Sequence, residues 1–209
     1  GNKASKKVVF QVNPALTVRA DPLRLTAGGV FNGVPLFPLK ISGGTGKTTV
    51  TYLKDGVPVT TQAVGGLYFA SEGGITGKVP ENTAELDGIR VRVEDEGGGG
   101  VVVPLTWIIN PPMTAHVTDA VLTAGARIPN GLVPVQISGG TVPVTLKLYD
   151  KKGKAALLPD AVIFNGINGS LGGNINGSEA LTKQYVVKAF DQGGGVLEVP
   201  FTLKIVKPL

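Results

Sequence analysis

Apolar residues along this chain come in short runs, and turn-forming residues separate nearly all of them. In the first half, alternating or apolar runs fall at residues 16–18, 23–25, 36–41, 49–53, 67–69, 89–93 and 101–109. Between them stand Gly28-Gly29, Asn32-Gly33, Gly43-Gly44, Asp55-Gly56, Gly65-Gly66, Gly73-Gly74 and the run Gly97 to Gly100. Such residues supply the positive φ that tight turns demand. The second half continues with runs at 133–137, 145–149, 161–164, 185–190 and 196–205. No stretch carries a convincing helical period. About seven short strands per hundred residues, punctuated every 8–12 residues or so, predict an all-β chain built as β-sandwiches.

The pattern repeats. Ile41-Ser42-Gly43-Gly44-Thr45 returns 96 residues later as Ile137-Ser138-Gly139-Gly140-Thr141. At the same spacing Val91 maps to Val187, Asp95 to Asp191, Gly97-Gly98-Gly99 to Gly193-Gly194-Gly195, and Val103-Pro104 to Val199-Pro200. Leu25-Thr26-Ala27-Gly28 matches Leu122-Thr123-Ala124-Gly125 with one residue of slippage. A duplication of this length predicts two domains, at residues 14–110 and 111–209, after a segment 1–13. Asn110-Pro111-Pro112 marks the joint, where two prolines stiffen the connection.

The segment in front is unusual. Val8-Val9-Phe10-Gln11-Val12-Asn13-Pro14 matches Leu105 to Pro111 and Thr202 to Pro208, so the closing strand of the repeat is written three times in a chain with two repeats. Val8, Val9, Phe10, Gln11 and Val12 are therefore expected to form a strand that pairs with a partner, because unpaired strand edges invite pairing.

Composition narrows the function. Cysteine is absent, which removes disulfides and thiolate chemistry. The net charge of +5 is spread thinly, with Lys+Arg 11 against Asp+Glu 9 in residues 1–110 and 9 against 6 in the remainder. No basic run interleaved with aromatics marks a nucleic-acid face, and no apolar stretch is long enough to span a bilayer as a helix.

Three sequences invite a chemical reading. Gly43-Gly44-Thr45-Gly46-Lys47-Thr48 imitates the end of a phosphate loop. The position that would need the earlier glycine is Ile41, and the next residues, Thr49-Val50-Thr51-Tyr52-Leu53, are strand-forming, so no helix N-terminus is expected there. Glu94-Asp95-Glu96 imitates a cation site. Only Asp191 of the three returns in the second repeat, which points to an Asp that accepts local backbone bonds at a turn. Gly1, with Ser5 four residues later, matches the spacing of an N-acylation signal, and a solvated tail is the simpler reading.

Single residues add little chemistry. His116, the only histidine, has no cysteine to complete a zinc site, and is expected on a surface or between domains. Trp107 is expected to pack in the core or at the domain joint. The pairs Asn165-Gly166, Asn168-Gly169 and Asn176-Gly177 read as turns. They make residues 164–179 a long polar loop, and Asn165, Asn168 and Asn176 candidate contact residues.

Together, Ser42-Gly43-Gly44-Thr45 before an apolar strand, Gly74-Ile75-Thr76-Gly77, Ile89 to Gly97 before a closing strand, and the second-repeat counterparts Ser138 to Thr145, Gly169-Ser170-Leu171-Gly172 and Val187 to Gly193 resemble the bacterial and phage immunoglobulin-like (cadherin-like) domain family. The resemblance covers each repeat once. The loop Gly46-Lys47-Thr48 departs from the usual family pattern. It implies spacers and binders of bacterial surface arrays and phage particles. With no leader at the Gly start, no cysteine and a short chain, the expected role is a non-enzymatic virion component without cofactor or metal. A capsid decoration, head-fibre or tail-associated protein, attached by protein contacts and self-associating through residues 8–12, would fit. The alternatives are a fragment of a bacterial cell-surface adhesin or spacer array, or a carbohydrate-binding accessory module meeting surface glycan.

Overall fold

A computed structural model of the chain describes residues 5–59 and 62–208. The candidate acylation site at Gly1 lies outside these residues. The first sandwich contains β1 (Thr17–Ala20), β2 (Leu23–Thr26), β3 (Val30–Leu36), β4 (Leu39–Ser42), β5 (Thr48–Lys54), β6 (Val57–Pro58), β7 (Leu67–Phe69), β8 (Ile75–Lys78), β9 (Ile89–Asp95), β10 (Gly100–Pro104) and β11 (Trp107–Asn110). A short 3-10 turn, Thr83–Leu86, precedes β9 and is capped by the Asn82 side chain.

Alternation decides which side chains face inward. In β9, Ile89, Val91 and Val93 are buried while Arg90 and Arg92 point outward. Val50 and Tyr52 of the neighbouring β5 meet them on the same face. The sheet β10-β9-β5-β6 packs through these residues against Leu67, Phe69 and Ile75 of the sheet β3-β8-β7. Each buried aliphatic side chain stabilises the fold by about 1.5–3 kcal/mol. Tyr52 reaches through the core to donate a 2.7 Å hydrogen bond to the Gly73 carbonyl. Trp107 meets Phe69 edge-on at 6.5 Å, as core packing at the end of the domain.

The second sandwich contains β12 (Thr114–Val117), β13 (Ala120–Thr123), β14 (Val135–Ser138), β15 (Val144–Asp150), β16 (Ala161–Phe164), β17 (Leu171–Asn174), β18 (Leu181–Asp191) and β19 (Val196–Val206). Its main sheet has the order β13-β19-β18-β15. Tyr185, Val187 and Ala189 occupy the inward positions of β18, with Phe201 stacked on Tyr185 at 5.8 Å. The two cores are separate, one drawn from Leu16 to Leu105 and the other from Met113 to Ile205. In each domain an early strand runs parallel to the last, β2 beside β11 and β13 beside β19. This pairing sets Thr26 opposite Asn110 at the end of the first sandwich.

Residues 8–12 pair with no strand of this chain, and Val8, Val9, Phe10 and Val12 are exposed, so the expected strand has no partner among the described residues. Other expectations need correction. The run 36–41 is split at Phe37-Pro38, because β3 pairs with β8 whereas β4 pairs with β1. The run 101–109 is split at Leu105-Thr106, where the chain leaves β9 to join β2. Residues 164–179 are not one open loop, since β17 pairs with β16 and both Leu171 and Ile175 are buried in the core.

Candidate functional site

The joint between the sandwiches is built from the repeated residues. Asp191 closes β18 and accepts from the Gly195 N–H (2.7 Å) through one oxygen and from the Thr141 N–H (3.0 Å) through the other. The Thr141 hydroxyl accepts from the Asn110 side-chain amide at 2.9 Å, and the Gln192 N–H donates to the Thr141 carbonyl at 3.1 Å. The Gly140 N–H donates to the Pro111 carbonyl at 2.9 Å. These bonds tie the linker, the β14–β15 loop and the β18–β19 turn into one pole of the second sandwich.

The first sandwich completes this pole with the end of β2. The Thr26 hydroxyl donates to the second Asp191 oxygen at 2.6 Å and lies 2.8 Å from the Thr141 hydroxyl. Thr26 and Thr141 are the buried polar residues of the described chain. The Thr26 and Val30 N–H groups donate to the Gly193 and Gly194 carbonyls, each at 3.0 Å. Hydrogen bonds to a carboxylate are stronger than neutral ones, so the Thr26–Asp191 bond is the strongest single hydrogen bond across the seam.

Glycine is required where the two backbones meet. A Cβ on Gly29 would fall 2.5 Å from the Gly193 carbonyl oxygen. A Cβ on Gly194 would fall 2.8 Å from the Phe31 ring, and one on Gly193 would overlap the Thr26 and Thr141 hydroxyls.

The opposite end of the first sandwich carries the same pole. Asp95 accepts from the Gly99 N–H (2.6 Å) and the Thr45 N–H (2.9 Å). The Thr45 hydroxyl accepts from the Asn13 side-chain amide at 3.0 Å, and the Glu96 N–H donates to the Thr45 carbonyl at 3.0 Å. The Gly44 N–H donates to the Pro14 carbonyl at 2.8 Å. The Thr45 and Gly99 amides hold the Asp95 carboxyl below its ordinary range. The expectation that Asp95 and Asp191 accept local backbone bonds is met at both positions.

Other sequence candidates fall elsewhere. Thr48 opens β5, so Gly46-Lys47 leads into a strand and not a helix. His116 lies exposed in β12 opposite Gln136. The Asn165 side-chain oxygen accepts from the Ile167 N–H at 2.8 Å, and that of Asn168 from the Ser170 N–H at 3.0 Å, so both brace their own turn. Asn176 is exposed beyond β17. No hydrogen bond among the described residues joins residues 8–12 to Asn165, Asn168 or Asn176.

Thr26 was the residue the sequence concealed. It stands inside the matched tetrapeptide Leu25-Thr26-Ala27-Gly28, where nothing marks it from Thr123. The signal lies three positions on, where Gly29 in the first repeat aligns with Ala126 in the second.

Among the described residues no group of three or more His, Cys, Asp or Glu is placed to hold a metal ion, and no helix is long and apolar enough to cross a membrane. No family model matches the chain, and no curated protein does. Solved structures do. An I-band fragment of titin aligns over 95% of this chain and 68% of its own, with 14% identity and a TM-score of 0.42. The Sidekick-1 immunoglobulin domains 1–5 align over 94% and 40%, with 16% identity and a TM-score of 0.39. Tandem immunoglobulin repeats of Dlar align over 92% and 98%, with 13% identity and a TM-score of 0.35. Likeness this distant carries no argument about function. The chain's own strands and cores make it two immunoglobulin-like β-sandwiches in tandem.

Proposed function

We propose that this chain is a non-enzymatic structural and adhesive module, a two-sandwich strut that attaches through protein–protein contacts. The observation that carries this reading is the seam. Asp191, Thr141, Asn110 and Thr26 direct their polar atoms at one another, holding two domains as one body. Side chains committed in this way serve geometry rather than a substrate.

The setting we propose is a phage particle, with the chain as a decoration, head-fibre or tail-associated protein. Its support is the motif resemblance together with a cysteine-free chain, which suits assembly in reducing cytosol. A bacterial surface array is the second reading, favoured by residues 8–14, which carry the sequence of a closing strand ahead of the first sandwich. In either setting residues 8–12 are the attachment segment, adding a strand to a partner's sheet by main-chain hydrogen bonds. Antibody to the chain should label purified particles, and deletion of residues 1–13 should abolish that labelling while both cores stay folded. Labelling of bacterial surfaces with bare particles would replace the virion setting by the surface array.

A further inference from the structure

The two poles differ in how far they are covered. Thr141, Gly193 and Gly195 are buried under the first sandwich, whereas Thr45 and Gly97 are exposed and Gly99 half-buried. Their internal bonding corresponds. Asn13, Thr45, Asp95 and Gly99 make the bonds that Asn110, Thr141, Asp191 and Gly195 make, with matched distances. We infer that the Asn13–Thr45–Asp95 pole is a docking site for a further sandwich of this type, one presenting a Thr-x-Gly-Gly turn as Thr26 to Gly29 do.

The occupant can be specified further. The seam needs a hydroxyl at the position of Thr26 and no Cβ at that of Gly29. The far turn of this chain, Thr123-Ala124-Gly125-Ala126, has the exposed hydroxyl and the same turn bond, Ala126 N–H to the Thr123 carbonyl. Ala126 puts a methyl where Gly29 meets the Gly193 carbonyl, and Arg127 stands in place of Val30. A second copy of this chain therefore fits the pole poorly, and the partner is a sandwich with glycine at that position.

Residues 8–13 point to the same partner. Their sequence counterpart 105–110 contains β11, which runs parallel to β2 and lays Asn110 beside Thr26. Residues 8–13 laid along a partner's β2 equivalent would bring Asn13 to the partner's threonine in the same way. The exposed Val8, Phe10 and Val12 would then gain the cover they lack in this chain.

This docking site presupposes the strut reading, and one experiment separates the two. In an extended chain, a second copy of residues 14–110 replaces residues 1–13, so that Asn110 of the added copy stands where Asn13 was. Residues 16–109 hold the core residues of that copy. Because the chain has no cysteine, single introduced thiols can carry spin labels on each sandwich. Distance distributions are then measured across the native seam and across the new one.

A single narrow population is expected at both. Thr26→Val in the added copy, which leaves the Asp95 pole untouched, should raise the open fraction of the new seam about tenfold and spare the native one. Gly29→Ala in the added copy should do the same. A broad distribution at the new seam beside a narrow native one overturns this inference alone. So does a narrow new seam that ignores both substitutions. A broad native seam removes the strut reading and this inference with it.

Discussion

Replacing Thr26 with valine tests the seam with a change of almost no volume. The substitution keeps the branched side chain and deletes the hydroxyl that donates to Asp191 at 2.6 Å and meets Thr141 at 2.8 Å. Asp191 retains the Thr141 and Gly195 amides, so its carboxylate loses one of three donors. A hydrogen bond to a charged group contributes about 1.5–3 kcal/mol. Asp191 is half-buried, so water replaces part of the loss and the lower end applies, about 1.5 kcal/mol, or roughly tenfold in the open-to-closed ratio of the seam. Amide exchange at Thr26 and Val30 reads that ratio, because both N–H groups donate across the seam to Gly193 and Gly194. These two amides should exchange about tenfold faster, with Val91 and Val187 in the two cores unchanged. Equal acceleration in the cores, or none at the seam, would refute the assignment of Thr26 to the joint.

Three further outcomes rest on the same geometry. Gly29→Ala should open the seam, since its Cβ lands 2.5 Å from the Gly193 oxygen, whereas Gly33→Ala, with nothing within 4 Å, should leave seam exchange at its native rate. Asp95 has a folded pKa below its ordinary value of 3.8, so its stabilising contribution is present above that value and lost as pH falls through the lower folded pKa. Thermal unfolding of the first sandwich should therefore drop on acidification below about pH 4, less steeply in Asp95→Asn. Tyr52→Phe strips the Gly73 carbonyl of its donor and should cost about 1–2 kcal/mol by denaturant unfolding, while Tyr185→Phe, whose buried hydroxyl has no partner among the described residues, should cost less.

Much of the fold was legible because period and punctuation agreed. Residues 89–93 alternate apolar with Arg and became β9, residues 161–164 became β16, and residues 67–69 became β7. The failures have physical causes. β3 contains Asn32-Gly33, which reads as a turn but serves as an irregularity in the pairing with β8. β8 and β17 carry Gly77 and Gly172-Gly173 inside strands that pair closely with neighbours, and glycine there hid them. The split of 101–109 was invisible because apolar pattern reports burial and not which sheet a strand joins. Residues 8–12 carry the sequence of the repeat's closing strand, and a strand exists only with a ladder partner, which the described residues of this chain do not supply.

The site was half legible. Asp95 and Asp191 could be assigned to turns because only the aspartate survived in both repeats. Thr26 could not, because its role depends on a residue 165 positions away. The repeat comparison held the missing signal in its differences: Thr26 and Thr123 match, but only the first leads on to a Gly-Gly pair, and only the first is buried.

If the Thr26–Thr141–Asp191 bonds make two sandwiches into one strut, the two must tumble together. Residual dipolar couplings from backbone amides of both domains read this without any label at the seam. One alignment tensor should fit both sandwiches in the native chain, and Thr26→Val with Asp191→Ala should split it into two of different magnitude. Two unequal tensors in the native chain would mean that the sandwiches move independently and that the seam holds no strut.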